Sequence, residues 1–398
     1  MLRILSINIW PMASRNAIGY MTEHLLNNEK LFDVMEIVTN NVEVYANVSE
    51  KYCVDINGLV IDVTEKKLLK DIGSDNKSAT VKRIVSKMKM LYKFLLPIKI
   101  GRELNEKIIK FKPQVIYTQG YDIRILKLAS KIAKKYSSKL VIHSLDDWFT
   151  CDDKTIEILT RKTLKKSLKT GLSFSGSPAM TERIQKLFSV DSKFIANCVD
   201  YDFTNSLDNN QFKYDIIYTG NLEPSRYTSL VNLGAALREN TKTKDLVIDV
   251  FSPKSQIDKY KSLFPENIIL HEALPVEEVE KLIEASKIAL HIETFEQEHQ
   301  NFIMYSLSTK IAEYLSKGKP IVYYGPKNVG VARFLSEYDL GFVYDNVPPV
   351  IDKINQIITN YDYEQIAKKL MKKAGVFFDK TVVQNRVYEY CIKLRGIE

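Results

Sequence analysis

Ser308, Thr309, Lys310 and Glu313 combine a potential helix start, a cation and a carboxylate within six residues. They belong to the stretch Ser306 to Pro326, Ser-Leu-Ser-Thr-Lys-Ile-Ala-Glu-Tyr-Leu-Ser-Lys-Gly-Lys-Pro-Ile-Val-Tyr-Tyr-Gly-Pro. Ser308 or Thr309 suits a helix N-cap, and Ile311 and Leu315 repeat at helical spacing. Gly318 suits the C-terminal cap, and Pro320 to Tyr324 reads as a buried strand. Unpaired N–H groups at a helix start attract anions, so Ser308, Thr309 and Lys310 form a seat for a diphosphate. Glu313 lies one turn on, where a carboxylate can accept both hydroxyls of a ribose. The bland alternative is a surface helix with a Lys–Glu pair.

Other chemistry-bearing residues stand where strands end. Leu2 to Ile9 reads as a first strand, and Ser14 to Tyr20 as a loop opening into a helix, with Gly19 and Arg15 available to an anion. Lys139 to His143 reads as a strand whose last residue, His143, should project into a crevice ahead of Asp146 and Asp147; a structural imidazole is the alternative. Asp146, Asp147, Asp152 and Asp153 are read as caps and solvated turns rather than as a metal cluster. Tyr214 to Gly220 reads as a strand delivering the loop Gly220-Asn221-Leu222-Glu223-Pro224-Ser225-Arg226.

Positioning these groups takes alternating strands and helices, which predicts an α/β protein. The strands expected at 114–118, 139–143 and 172–175 belong to a first half; those at 214–220, 246–251, 268–271 and 288–292 belong to a second. Asp, Asn and Gln cluster from Asp200 to Lys213, as in a linker. With 398 residues the chain exceeds what one core supports, so the expected division is 1–200, 201–378 and a final helix, 379–398, returning to the first domain. Two such halves in series imply a cleft between them.

Composition excludes several classes. At 45% hydrophobic and 27% charged residues the chain is globular, and its four scattered cysteines fit neither a zinc nor a redox motif. The net charge of +8 equals the excess carried between Val81 and Lys112 alone, with ten basic and two acidic residues. There Ile84 to Leu96 reads as a basic amphipathic helix, packed on its own domain or docked on an anionic membrane surface. No nucleic-acid motif accompanies the charge. The first strand begins too near Met1 for a signal segment, and no stretch is long enough to span a bilayer, so the expected location is cytoplasmic, with peripheral attachment to the inner face of the membrane as an option.

Lys310, Glu313, Tyr314, Leu315, Gly318, Lys319 and Pro320 together resemble the Lys-x-x-Glu-Tyr-Leu-x-x-Gly-Lys-Pro helix of GT-B fold glycosyltransferases, in particular the retaining family 4 that builds bacterial glycolipids and surface polysaccharides. Ser175 to Met180 and Asn197-Cys198-Val199-Asp200 resemble that family's passage between domains. The resemblance implies two Rossmann-like doubly wound domains and a C-terminal helix crossing back. By carry-over, Glu313 holds the ribose, Ser308, Thr309 and Lys310 lie by the diphosphate, and His143 stands near the transferred sugar as a base, a sugar contact or a structural group. The first domain would take the acceptor, with Arg15, Gly19, Asp146 and Asp147 on that side. Three positions depart from the pattern. Tyr305 replaces the Glu that faces the sugar, so Glu293, Glu296 or Glu298 must fill the role; Asn221 replaces an Arg, leaving Arg226 as the cation for the leaving diphosphate; and the N-terminal loop lacks a glycine pair.

The activity implied is metal-independent transfer of a sugar from a UDP- or GDP-sugar to a hydroxyl of a glycan or glycolipid, without a cofactor. The rivals are a sugar-nucleotide 2-epimerase and a non-catalytic, membrane-associated scaffold subunit.

Overall fold

The computed structural model of the chain describes residues 1–12, 14, 16–40, 48, 50–53, 100–151, 153–203, 212–360, 362–394 and 396. In the N-terminal half the order is β1 (Leu2–Asn8), α1 (Ala17–Leu26), β2 (Phe32–Val38), β3 (Glu50–Cys53), α2 (Arg102–Phe111), β4 (Val115–Thr118), α3 (Ile123–Lys135), β5 (Lys139–Ser144), α4 (Lys154–Leu168), β6 (Gly171–Ser175), α5 (Pro178–Phe188) and β7 (Ser192–Phe194). Its strands form one parallel sheet, ordered β3-β2-β1-β4-β5-β6-β7. Helices on both faces bury such strands, which therefore read as nearly unbroken apolar runs; Ile4, Leu5, Ile7, Ile116, Val141 and Ile142 are all fully buried.

The second half repeats the plan with β8 (Tyr214–Thr219), α6 (Arg226–Glu239), β9 (Ile248–Ser252), α7 (Lys254–Tyr260), β10 (Ile268–Glu272), α8 (Val276–Glu284), β11 (Ser286–Ile292), α9 (Gln297–Ile303), α10 (Thr309–Ser316), β12 (Ile321–Tyr324), α11 (Gly330–Glu337), β13 (Phe342–Tyr344), α12 (Val347–Asn360), α13 (Tyr363–Phe378) and α14 (Lys380–Leu394). The sheet is again parallel, β10-β9-β8-β11-β12-β13. Its core joins Ile216, Leu233 and Val250 to Leu290, Val322 and Ile354. Both orders are doubly wound, reversing between β1 and β4 in the first sheet and between β8 and β11 in the second.

Two units emerge from packing: Met1–Ser175 with Ile184–Phe194 and Gln384–Glu398, and Gly176–Arg183 with Ile195–Val383. The end of α14 belongs to the first, where Gln384 donates to His24 O at 2.7 Å and accepts from Asn28 at 2.7 Å. Ile84 to Leu96 lies outside the described residues, as does most of the expected linker. No described helix is long and apolar enough to cross a membrane.

Gly318 closes α10 as expected, with φ +62, and a Cβ there would meet Ala367 at 2.5 Å. Lys319 of the same motif is fully buried; its Nζ donates to Glu284 O at 2.7 Å and Ser286 O at 2.9 Å, capping the end of α8, and burial pushes it down to about 7.

Candidate functional site

In the second unit, β8 ends at Thr219 and is followed by Gly220 at φ +145. A Cβ on Gly220 would stand 1.9 Å from Lys310 Nζ, so only glycine lets the ammonium rest against the backbone here. β11 ends at Ile292 and hands on Glu293. Gly220 and Glu293 therefore flank the reversal of strand order, the place where doubly wound sheets receive ligands.

The helix α10 approaches the same point. Its N-cap, Ser308, has extended backbone and makes no side-chain cap bond, so that hydroxyl leaves the first-turn N–H groups to other acceptors. Tyr314 of α10 and Thr219 of β8 share a hydroxyl–hydroxyl bond of 2.8 Å, which ties the helix to the strand end and carries Lys310 over Gly220. Lys310 Nζ also lies 5.9 Å from the centre of the Tyr218 ring, and has no carboxylate within ion-pair reach among the described residues. Burial, with the charge of Arg226 second, pushes it down to about 8. One turn on, burial pushes Glu313 up to about 7 against the pull of Lys310.

Arg226, the expected diphosphate cation, is ion-paired in the structure. Its Nε and Nη2 donate to Glu293 Oε2 at 2.9 and 2.7 Å, and Nη1 donates to Glu223 O at 2.6 Å. The guanidinium is thus neutralised by a carboxylate that is itself nearly fully buried. Burial disfavours ionisation of Glu293, but the bond from His291 and the charge of Arg226 outweigh it and hold the carboxyl below its ordinary range. Of the acids open for the Tyr305 position, Glu293 alone is buried at a strand end. Glu296 is exposed and accepts from Ser225 Oγ at 2.6 Å, and Glu298 is exposed on α9. Tyr305 is turned to other work: the Arg183 guanidinium lies 4.9 Å over its ring, and its carbonyl accepts from Ser177 Oγ. Asn221 is exposed, and its carbonyl accepts from Tyr218 Oη at 2.6 Å.

The first unit corrects two expectations. His143 does not project into a crevice: it is fully buried, its Nδ1 2.9 Å from Tyr117 Oη and its ring edge-on to Phe174. Flanking strands β4 and β6 enclose it, and a strand-end position is no guarantee of exposure in a sheet covered on both faces. Gly19 is not in a loop but in the first turn of α1, where its N–H donates to the N-cap Asn16 at 3.0 Å. Its missing side chain admits Ser14 Oγ and Pro11 O, which a Cβ would meet at 1.8 and 2.3 Å. Arg15 lies outside the described residues. Asp146 accepts from Tyr121 Oη at 3.0 Å, Asp147 from Thr150 Oγ1 at 2.7 Å, and Asp153 caps α4. Sequence reasoning had Tyr314 only as a motif residue and missed its bond to Thr219, which spans 95 positions and has no local signal.

No family model matches the chain, and no curated protein does. Solved structures are similar over nearly its whole length. A glycosyltransferase from Rickettsia africae is 13% identical with a TM-score of 0.63, covering 99% of this chain and 98% of its own. Anabaena HepE in complex with UDP-glucose is 12% identical, with a TM-score of 0.60 and coverage of 99% and 100%. A Staphylococcus aureus TarM variant, in complex with fondaparinux, α-GlcNAc-glycerol and UDP, is 11% identical, with a TM-score of 0.60 and coverage of 100% of both chains. With two parallel, doubly wound sheets, and similar to these glycosyltransferases over nearly its whole length, the chain has the GT-B fold.

Proposed function

We propose that the chain is a glycosyltransferase that moves a sugar from a nucleoside-diphosphate sugar, a UDP-sugar in the first instance, to a hydroxyl of a glycan or glycolipid, with retention and without a metal. The observation that carries this reading is Lys310: a cation without a carboxylate partner among the described residues, set over Gly220 at the start of α10 and at the reversal of the sheet. An ammonium so placed is matched by an anion, and uncapped helix N–H groups beside it favour phosphate. Glu313, one turn behind, suits the ribose hydroxyls. The UDP-glucose bound by HepE, a donor, and the UDP bound by the TarM variant, the nucleotide such a donor leaves, agree with this chemistry.

In the reaction the acceptor oxygen bonds to the anomeric carbon while the bond from that carbon to the diphosphate oxygen breaks. The electron pair leaves with the diphosphate, and the hydroxyl proton passes to it or to solvent. Negative charge therefore grows on the diphosphate in the transition state, where Lys310 and the α10 N–H groups stabilise it more than in the ground state. Arg226 acts one step back, holding Glu293 ionised at the sheet end, where the carboxylate faces the transferred sugar. Attachment to the inner face of a membrane through Ile84 to Leu96 belongs to the same proposal.

The test is to incubate the purified chain with UDP- and GDP-hexoses, with and without a mixture of glycan and lipid-linked acceptors. Acceptor-dependent release of nucleoside diphosphate is the expected result. Release of an altered sugar nucleotide without acceptor would show an epimerase, and liposome binding with no nucleotide turnover would show a scaffold.

A further inference from the structure

Helices α3 and α4 lie side by side on the first sheet. Each links two neighbouring parallel strands, β4 to β5 and β5 to β6, and right-handed crossovers put both on one face. Ser130 Oγ and Ser167 Oγ meet at 2.8 Å across the seam and fix the register of the two helices. Their inner faces are apolar, with Ile125 and Ile132 of α3 and Ile156 and Leu164 of α4 all buried. Their outer faces are lysine. Lys131, Lys134 and Lys135 are exposed on α3, and Lys162, Lys165, Lys166 and Lys169 continue the pattern along α4 and its C-cap. No acid stands on α3, and Glu157, the acid of α4, is buried and paired with Lys154 and Arg161.

Local effects do not account for this face. Lysines in a last helical turn complement the helix dipole, which covers Lys134, Lys135, Lys165 and Lys166 but not Lys131 and Lys162, a turn earlier. Surface helices elsewhere in the chain balance their cations, Glu103 with Lys107 and Glu106 with Arg102 on α2, and Glu364 with Lys368 on α13. The arginines of α3 and α4 are committed to their own unit, Arg124 to Asp122 and Arg161 to Glu157 and Thr150, so the outward cations are all lysines. An arginine fork suits fixed anions met two bonds at a time, whereas hydrated ammonium groups on long stems suit a diffuse field of negative charge. Ile158, 57% exposed, stands one turn before Lys162 on the same stripe. Neither helix contains an aromatic ring or an amide side chain on which a base could stack or pair.

We propose that the outer face of α3 and α4 docks on an anionic lipid bilayer, with its lysines set against headgroup phosphates and Ile158 in the headgroup layer. Both helices run back from the carboxyl ends of the strands, so the lysines gather toward the amino ends of β5 and β6. The loops at the reversal of the sheet lie at the opposite ends of the strands, and docking leaves them uncovered. This contact is distinct from Ile84 to Leu96 and rests neither on that stretch nor on the transferase reading.

Flotation of the full chain with vesicles of phosphatidylcholine, alone or with about a third phosphatidylglycerol, reads the contact. The chain should float with the anionic vesicles and not the neutral ones at about 0.1 M salt, and be released near 1 M, where the Debye length falls from about 10 Å to about 3 Å. Lys131→Glu, Lys165→Glu and Lys169→Glu together should lower the partition coefficient about a hundredfold, and Ile158→Ser a few-fold, with melting temperature unchanged. The same charge change on α13, through Lys368→Glu, Lys369→Glu and Lys372→Glu, should cost no more than about threefold. Should the first triple variant melt early, Lys131→Gln, Lys165→Gln and Lys169→Gln carry the test, with a loss of about tenfold. Binding should also persist in a Leu91→Glu, Leu95→Glu background, which disarms the other stretch. The proposal is overturned if anionic vesicles retain no more protein than neutral ones, or if that background abolishes binding. It is equally overturned if the reversed α3–α4 face floats as wild type does, if the α13 variant loses as much, or if a short DNA duplex binds the face more tightly than the vesicles do.

Discussion

The two sheets reverse at matching places, β1 against β4 and β8 against β11, yet the side chains delivered there differ in kind. The second reversal gathers Lys310, Arg226, Glu293 and Glu313, with a helix start aimed at the same spot. The first gathers two amides, isoleucines and the ring of Tyr121, and among the described residues no charged group lines it. A doubly wound sheet determines where a ligand sits, while the residues just past its strand ends determine what the ligand is. One unit brings two cations and two carboxylates to its reversal, and the other brings amides and apolar side chains.

The comparison breaks first at Lys310. Lys310→Met should lower the rate of acceptor-dependent nucleotide release by about a thousandfold in kcat/KM, because the lost charge acts on the transition state. An unchanged rate would remove Lys310 from the site.

Arg226→Ala comes next. It leaves the buried Glu293 without its cation and with only the imidazole of His291, 3.2 Å away, as a partner, so turnover should drop by about a hundredfold and the protein should lose about 3 kcal/mol in denaturant unfolding. Adding Glu293→Gln to Arg226→Ala should restore most of the stability and little of the turnover. Unchanged kinetics in the single variant would remove the pair from the site.

The smallest effect sharpens the picture through pH. Lys310 is cationic below about 8 and loses its charge above, so affinity for a diphosphate falls as pH rises past 8. Glu313 is neutral below about 7 and becomes the stronger hydroxyl acceptor above it, so affinity also falls as pH drops below 7. UDP binding followed from pH 6 to 10 should therefore peak between about 7 and 8, changing by a few-fold per pH unit outside that window. Lys310→Arg should abolish the alkaline fall.

Much of α10 and β12 was legible because their signals are local. Ser308, the Ile311 and Leu315 repeat, Gly318 and the apolar run to Tyr324 specify a helix, its cap and a strand within a few turns of chain. The pairing of Arg226 with Glu293 spans 67 positions and depends on which strands are neighbours, so a loop cation read alone looked free. His143 failed for a related reason: its strand was found but runs one residue further, to Ser144, and the Tyr117 and Phe174 that enclose the imidazole come from β4 and β6. Gln119 carries no motif at all. Only the sheet order, which sets β4 beside β1, places the residue after Thr118 against Asn8. The short strands Ser192–Phe194 and Phe342–Tyr344 escaped because three residues hold too little periodicity to read.

The central claim is that the second unit holds a nucleoside diphosphate between Lys310 and Glu313. Calorimetric titration of the full chain with UDP, GDP and CMP, repeated on Glu313→Ala and Lys310→Met, tests it most directly. The account predicts micromolar binding of one nucleoside diphosphate, CMP far weaker, and loss of about tenfold or more in each variant. Binding of none of the three, or variants that bind as wild type does, would contradict it.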